Sequence, residues 1–243
     1  MKKSLFAICY FFIFHSIIAQ SQLNADVNEL NIQVEQAFET EPLEKLVLIA
    51  EKAWEKAQGI SPIDTNYLIS LSNISTIYSE LNRFEEAKPL AIKSVEAYKN
   101  YYGQDSPFYA YALSELSRIY RQIGYIEEAL EQYQEVISIF KKSGGDNSYD
   151  YALSLNDISS IYKDLNRFEE AEQYLLEAKS IFETNIKLRM GEYATILNNL
   201  ALLYDKMQRF EEAEQLYLKM STIDEKELGE THPYYIIGLN NIA

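Results

Sequence analysis

One seven-residue phrase restricts what this chain can fold into more than any other feature. LNRFEEA stands at 81–87 and again at 165–171, with IGYIEEA at 123–129 and MQRFEEA at 207–213. The large apolar residue of the phrase falls at Phe84, Ile126, Phe168 and Phe210, each 42 residues after the last. The same step joins Ala87, Ala129, Ala171 and Ala213, and upstream Tyr78, Tyr120, Tyr162 and Tyr204. It also joins Leu71, Leu113, Leu155, Leu197 and Leu239, and Tyr67, Tyr109, Tyr151, Tyr193 and Tyr235. A gapless register of this length is the mark of supersecondary units stacked in an array. No single unit can bury its apolar face except against its neighbours.

Within a unit the apolar spacing is helical. Leu197, Leu200, Leu203 and Tyr204 form one stripe, and Phe210, Ala213, Leu216, Tyr217 and Met220 form a second. Between the stripes the turn slot holds Asn82, Gly124, Asn166 and Gln208. A helix that ends in a left-handed residue prefers Gly or Asn there, so Gln208 is the poorest fit. Each unit therefore reads as two antiparallel helices joined by a tight turn. Small residues recur at Ser75, Ser117, Ser159, Ala201 and Ala243 in the first helix and at the four alanines in the second. Helix axes come within about 8–10 Å where side chains at the contact allow it, which places the crossing at these slots. The paired glutamates of the phrase fall in the first turn of the second helix, where the helix dipole favours negative charge. Repeated in four units and adjacent in sequence, they diverge around the helix, which argues against a catalytic carboxylate pair.

The ends differ from the middle. Met1–Lys2–Lys3 precedes an apolar run from Ser4 to Ala19, and the chain then turns polar at Gln20. That layout is a secretory signal peptide, cut after Ala19, and the run is shorter than the roughly 20 residues a bilayer crossing needs. Cys9, the one cysteine, lies inside it, so the processed chain has no disulfide and no thiol chemistry. The expected location is periplasmic or extracellular, with no membrane contact after processing. A net charge of −15 with no basic stripe excludes phosphate-driven nucleic-acid binding. Residues 23–38 and 42–57 are also helical by pattern and read as a terminal unit, Trp54 packing inside it.

LNNLALLYDKMQRFEEAEQLYLKM (197–220), GQDSPFYAYALSELSRIY (103–120) and GETHPYYIIGLNNIA (229–243) together resemble the tetratricopeptide repeat, in the 42-residue form of kinesin light chains. The likeness spans residues 62–243. It implies an all-α fold, a right-handed α-α superhelix (solenoid) of antiparallel helix pairs. The expected order is a signal peptide at 1–19, a degenerate capping helix pair at 20–61, four repeats over 62–232, and the first helix of a further, incomplete repeat at 233–243.

The resemblance also implies a concave groove lined by the first helices. Carried onto this chain, it offers Ile69, Ser72, Thr76, Ser79 and Glu80, then Tyr111, Ser114, Arg118, Arg121 and Gln122. The third repeat offers Leu153, Asn156, Ser160, Lys163 and Asp164, and the fourth Thr195, Asn198, Leu202, Asp205 and Lys206. Asn156, Asn198 and Asn240 stand one period apart, and an amide can both donate to and accept from a peptide backbone. Arg118 and Arg121 share a helix face, and with Lys163 they point to an acidic peptide or a free C-terminus as ligand. No metal site, cofactor or catalytic constellation is expected. His232 is the one histidine after processing, no phosphate loop is present, and the Asn73–Ile74–Ser75 sequon falls inside a helical stretch.

The expected function is an exported, non-catalytic scaffold that binds a protein or peptide. The alternative is the N-terminal sensor region of a longer protein with an enzymatic, caspase-like protease or signalling domain beyond Ala243. Self-association through the C-terminal helix is a further expectation.

Overall fold

The computed structural model describes residues 2–38, 40–145, 147–184 and 190–228. Helices occupy them in the order α1 (Lys2–Ala37), α2 (Leu43–Ala57), α3 (Thr65–Glu80), α4 (Phe84–Tyr102), α5 (Pro107–Gln122), α6 (Ile126–Lys142), α7 (Tyr149–Asp164), α8 (Phe168–Thr184), α9 (Met190–Lys206) and α10 (Phe210–Leu228). There is no strand among the described residues. The helices fall into two compact units, Met1–Ile123 with α1–α5 and Gly124–Ala243 with α6–α10.

In the first unit, α3 starts where the Asp64 carboxylate accepts the Tyr67 N–H at 3.1 Å, a side-chain cap on an otherwise unpaired donor. Its stripe of Tyr67, Leu68, Leu71, Ile74 and Ile77 is buried. The helix ends on Asn82, whose φ of 57° is left-handed. There the Arg83 N–H donates to the Tyr78 carbonyl at 2.8 Å and the Asn82 N–H to the Ser79 carbonyl at 2.9 Å, the two bonds of a Schellman cap. α4 packs back along α3. Ser75 and Ala87 are both buried, and the Ser75 hydroxyl donates to the Ala87 carbonyl at 3.4 Å. The small-residue slots thus mark the crossing, as their spacing predicts. Ser106 and Pro107 then open α5, the Ser106 hydroxyl accepting the Phe108 N–H at 3.2 Å.

The terminal helices close the end of this unit. α1 runs unbroken through Ala19 and Gln20, and from Leu23 onward it packs on α2 and α3. Asn31 is buried between them: its Nδ2 donates to the Asn66 carbonyl at 3.0 Å, and its Oδ1 accepts from the Ser70 hydroxyl at 2.8 Å. Both halves of the amide are satisfied, so the group costs little to bury and fixes the register of α1 on α3. Trp54 packs against both apolar clusters and stands edge-on to Tyr67 with ring centroids 5.3 Å apart. Among the described residues no helix is long and apolar enough to cross a membrane.

The second unit repeats the corner twice. Asn166 and Gln208 have φ of 57° and 60°, and the Arg167 and Arg209 N–H groups donate to the Tyr162 and Tyr204 carbonyls at 2.8 Å. The arginine side chain then folds back over the same tyrosine ring: 4.6 Å for Arg167 over Tyr162 and 4.0 Å for Arg209 over Tyr204, against 4.1 Å for Arg83 over Tyr78 in the first unit. Each guanidinium also binds the second glutamate of the phrase, Glu86, Glu170 or Glu212. The paired glutamates therefore have an ionic role beside the dipole role read from their position. At the last corner the Tyr204 hydroxyl donates to Glu172 at 2.9 Å and Arg209 Nη1 reaches the same carboxylate at 2.8 Å. Burial, reinforced by that bond to Glu172, pushes the Tyr204 phenol up to about 12. Gln208 takes the turn conformation despite its side chain because these contacts hold both sides of it.

Glu183, at the end of α8, joins three helices. Its carboxylate accepts from the Tyr193 hydroxyl of α9 and from Lys219 Nζ of α10, both at 2.8 Å, and pairs with Lys179 at 3.0 Å. Burial works to raise its pKa, but the bonds from Lys219, Lys179 and Tyr193 prevail and bring it down to about 2.

Two outcomes follow from this geometry. Gln208→Gly should stabilise the protein by about 0.5–1 kcal/mol in urea unfolding. The left-handed backbone costs an L-residue roughly 1–2 kcal/mol, part of which the freer unfolded glycine chain gives back. Asn166→Gly should change less, since Asn tolerates this conformation. Because Glu183 is more acidic folded than unfolded, its contribution is complete above its ordinary 4.5 and is lost as pH falls toward about 2. Thermal melts of Glu183→Gln should therefore lie below wild type at neutral pH and converge on it between pH 4.5 and 2.

Candidate functional site

The residues expected to bind lie on the first helices α3, α5, α7 and α9, and each unit is considered by itself. In the first unit α3 contacts α5, and Glu80 links them by accepting from Arg118 Nη1 at 2.8 Å. Glu115, one turn before Arg118, takes the other nitrogen at 2.9 Å. Arg118 is thus a bridge between consecutive first helices. Arg121 is half-buried at the end of α5. The Ser114 hydroxyl donates to the Ala110 carbonyl of its own helix at 2.9 Å. Ser72 turns to the second helix, its hydroxyl 3.2 Å from both Ser94 Oγ and the Tyr98 hydroxyl. Ile69 and Tyr111, one period apart, are the exposed apolar side chains of this face.

In the second unit Asn156 does for α7 and α9 what Arg118 does for α3 and α5. Its Oδ1 accepts from Asn199 Nδ2 at 2.7 Å, and its own Nδ2 lies 3.4 Å from Asp157 Oδ1. Asn198, half-buried on the same helix, has no side-chain partner among the described residues. Asp205 accepts from the Tyr217 hydroxyl of α10 at 2.7 Å, and burial together with this bond pushes the Tyr217 phenol up. Lys163 is half-buried near the end of α7, and Leu202 is exposed one turn beyond Asn198 on α9. Asn240, His232 and the helix expected at 233–243 lie outside the described residues.

The 42-residue series Asn73, Glu115, Asp157 and Asn199 escaped the sequence reading, which followed the slot one residue earlier. Three of its members are bonded within the array: Glu115 to Arg118, Asp157 to the Tyr133 hydroxyl at 3.1 Å, and Asn199 to Asn156. The Nδ2 of Asn73 is buried and has no partner among the described residues. The same burial inside α3 argues against the sequon as a glycan acceptor. The signal for Asn73 was present in the period itself, as a neutral amide followed by two carboxylates.

Among the described residues no group of three or more His, Cys, Asp or Glu side chains could hold a metal ion. What this face offers is hydrogen-bonding amides, a few exposed apolar side chains, and charges largely engaged with one another.

The tetratricopeptide repeat family profile matches this chain over residues 66–142, 126–184 and 192–243. No curated protein matches it in sequence. Solved structures with the same fold include BtubC (BKLC) from P. vanneervenii, at 22% identity over 83% of this chain and 82% of that one, with a TM-score of 0.71. The TPR-like repeats of a Podosopora anserina protein described as a kinesin light chain match at 17% identity over 84% and 98%, TM-score 0.66. The Rap conjugation gene regulator of plasmid pLS20, in complex with the Phr* peptide, matches at 15% identity over 84% of this chain and 54% of that one, TM-score 0.69. At these identities the likeness is one of fold. With the family profile covering most of the repeats and the helix pairs, corners and crossings built as described, this chain belongs to the tetratricopeptide repeat family.

Proposed function

We propose that this chain is an exported, non-catalytic tetratricopeptide-repeat scaffold that holds a protein or peptide on the face of its first helices. One observation carries the reading. In the second unit that face keeps Leu202 exposed one turn from an amide, Asn198, with no partner among the described residues, and in the first unit it keeps Ile69 and Tyr111 exposed. Apolar anchors next to unengaged amides are what an extended peptide backbone needs. A protein of the same fold, the pLS20 Rap regulator, is solved in complex with a peptide. Arg118, Arg121 and Lys163 favour an acidic ligand or a free C-terminus, whereas the pairing of Arg118 with Glu80 and Glu115 works against it. An acidic ligand would have to displace one of those carboxylates.

Export rests on the Lys2–Lys3 start, the apolar run and the small residue at Ala19. Leu23, Val27 and Val34, through which α1 packs in the first unit, all lie after Ala19. Intact-mass measurement on the chain recovered from a secreting host should give a protein beginning at Gln20. A mass that retains residues 1–19 would overturn this part of the reading.

The binding reading is tested by panning a random linear heptapeptide display library on the processed chain. Enriched peptides should be retained at least tenfold less well by Tyr111→Ser or by Asn198→Ala, with the helical circular dichroism unchanged. Equal retention by both variants, or no enrichment at all, would sink the assignment of this face.

A further inference from the structure

The end of α1, the turn after it and α3 border an open depression of about 510 Å3 lined by Val34, Glu35, Phe38, Ile69 and Asn73 among others. That volume lies within the roughly 300–1,000 Å3 of small-ligand pockets. Its apolar lining is Phe38 and Ile69, 40% and 41% exposed, with the buried Val34, and Glu35, Gln36 and Thr40 line it beside them. Asn73 adds a buried amide nitrogen with no partner among the described residues.

The repeat explains why this amide is left over. In the later repeats the equivalent side chains, Glu115, Asp157 and Asn199, are bonded inside the array. The neighbour of α3 on this side is α1, which has lost the repeat pattern. Counting back 42 from Thr76, Arg118, Ser160 and Leu202 leads to Val34, and from Glu80, Gln122, Asp164 and Lys206 to Phe38. Positions that are mostly polar along the array are apolar at Val34 in α1 and at Phe38 just past its end. α1 places Val34 at this slot, and none of its acceptors bonds the Asn73 amide. Leaving a buried donor unpaired costs about 1–3 kcal/mol, which an incoming acceptor would recover.

We infer that this depression is a subsite for an apolar residue of an extended, basic peptide, whose main-chain carbonyl accepts a hydrogen bond from the Asn73 amide. The inference rests on the peptide-binding reading above and adds a place and a charge to it. The sign of the charge comes from complementarity. Among the described residues Glu35 is the one ionisable side chain lining the depression and no Lys or Arg lines it, and the chain as a whole carries −15. Lys or Arg beside the apolar residue would meet Glu35, and a carboxylate would be repelled. A main-chain carbonyl satisfies the amide without adding negative charge.

The same heptapeptide library, panned on the processed chain, reads this directly. Enriched peptides should place an apolar residue next to Lys or Arg. A selected peptide should be retained at least tenfold less well by Asn73→Asp, which removes the donor at constant size, and by Phe38→Ser. Glu35→Lys, at an exposed position, should abolish or reverse the preference for cationic peptides even if the other two variants fold poorly. Selection of acidic peptides, or unchanged retention by well-folded Asn73→Asp and Phe38→Ser, would overturn the subsite. If binding is lost only in Tyr111→Ser and Asn198→Ala, the subsite is wrong and the first-helix face stands. If nothing is enriched, both fall.

Discussion

The left-handed corner between paired helices is the constraint on which the rest depends. Asn82, Asn166 and Gln208 each take φ near 60°, and each is followed by an arginine whose N–H reaches back to a tyrosine carbonyl. That geometry fixes where the second helix starts and the direction in which it leaves. Only then do Ser75 and Ala87 meet at the crossing, and only then are the apolar stripes of both helices removed from water. The stripes supply the energy, at about 1.5–3 kcal/mol for each large side chain buried. The corner decides what they are buried against. The arginine stacked on its tyrosine and tied to the second glutamate fastens the exposed side of the turn, which lets even Gln208 serve where Asn is the better residue.

Polar groups between first helices show how the array handles its own surface. Glu80 with Arg118, and Asn156 with Asn199, link consecutive first helices by side-chain bonds. Such pairs satisfy half-buried groups and set the spacing of neighbours. They also draw residues that look free in sequence into the framework. Arg118 reads as a ligand-gripping cation until Glu80, a full helix away, is seen beside it. The face that remains for a partner is narrower and less positive than its sequence suggests.

The helix pairs, their tight turns and their crossing slots were legible because each is a local pattern repeated with a strict period. Position in the period stood in for position in space. The exposed face of the first helices was only partly legible, since whether a side chain is spent depends on a partner about 40 residues away. Asn156 and Asn198 occupy the same slot, yet one is bonded to Asn199 and the other has no partner among the described residues. The corner arginines Arg83, Arg167 and Arg209 recur with the period, and Tyr125 breaks the series at the second repeat. Their role appears only when the tyrosine ring five residues earlier is placed beneath them.

In an array of this kind, function is more readily sought where the period fails than where it holds. A residue that recurs is explained by the unit it builds. A slot whose neighbour has drifted from the pattern leaves a chemical group without its usual partner, and the group becomes available. The terminal helix does this to Asn73: it keeps the contacts that seal the end of the first unit, apolar through Val27 and Val34 and hydrogen-bonded through Asn31, but Val34 and, just past its end, Phe38 lie where polar side chains would otherwise stand. Closing the end of a stack and opening a subsite beside it thus follow from the same loss of the repeat pattern. A helix that only had to cap the unit would have little reason to keep Phe38 40% exposed against an unsatisfied amide.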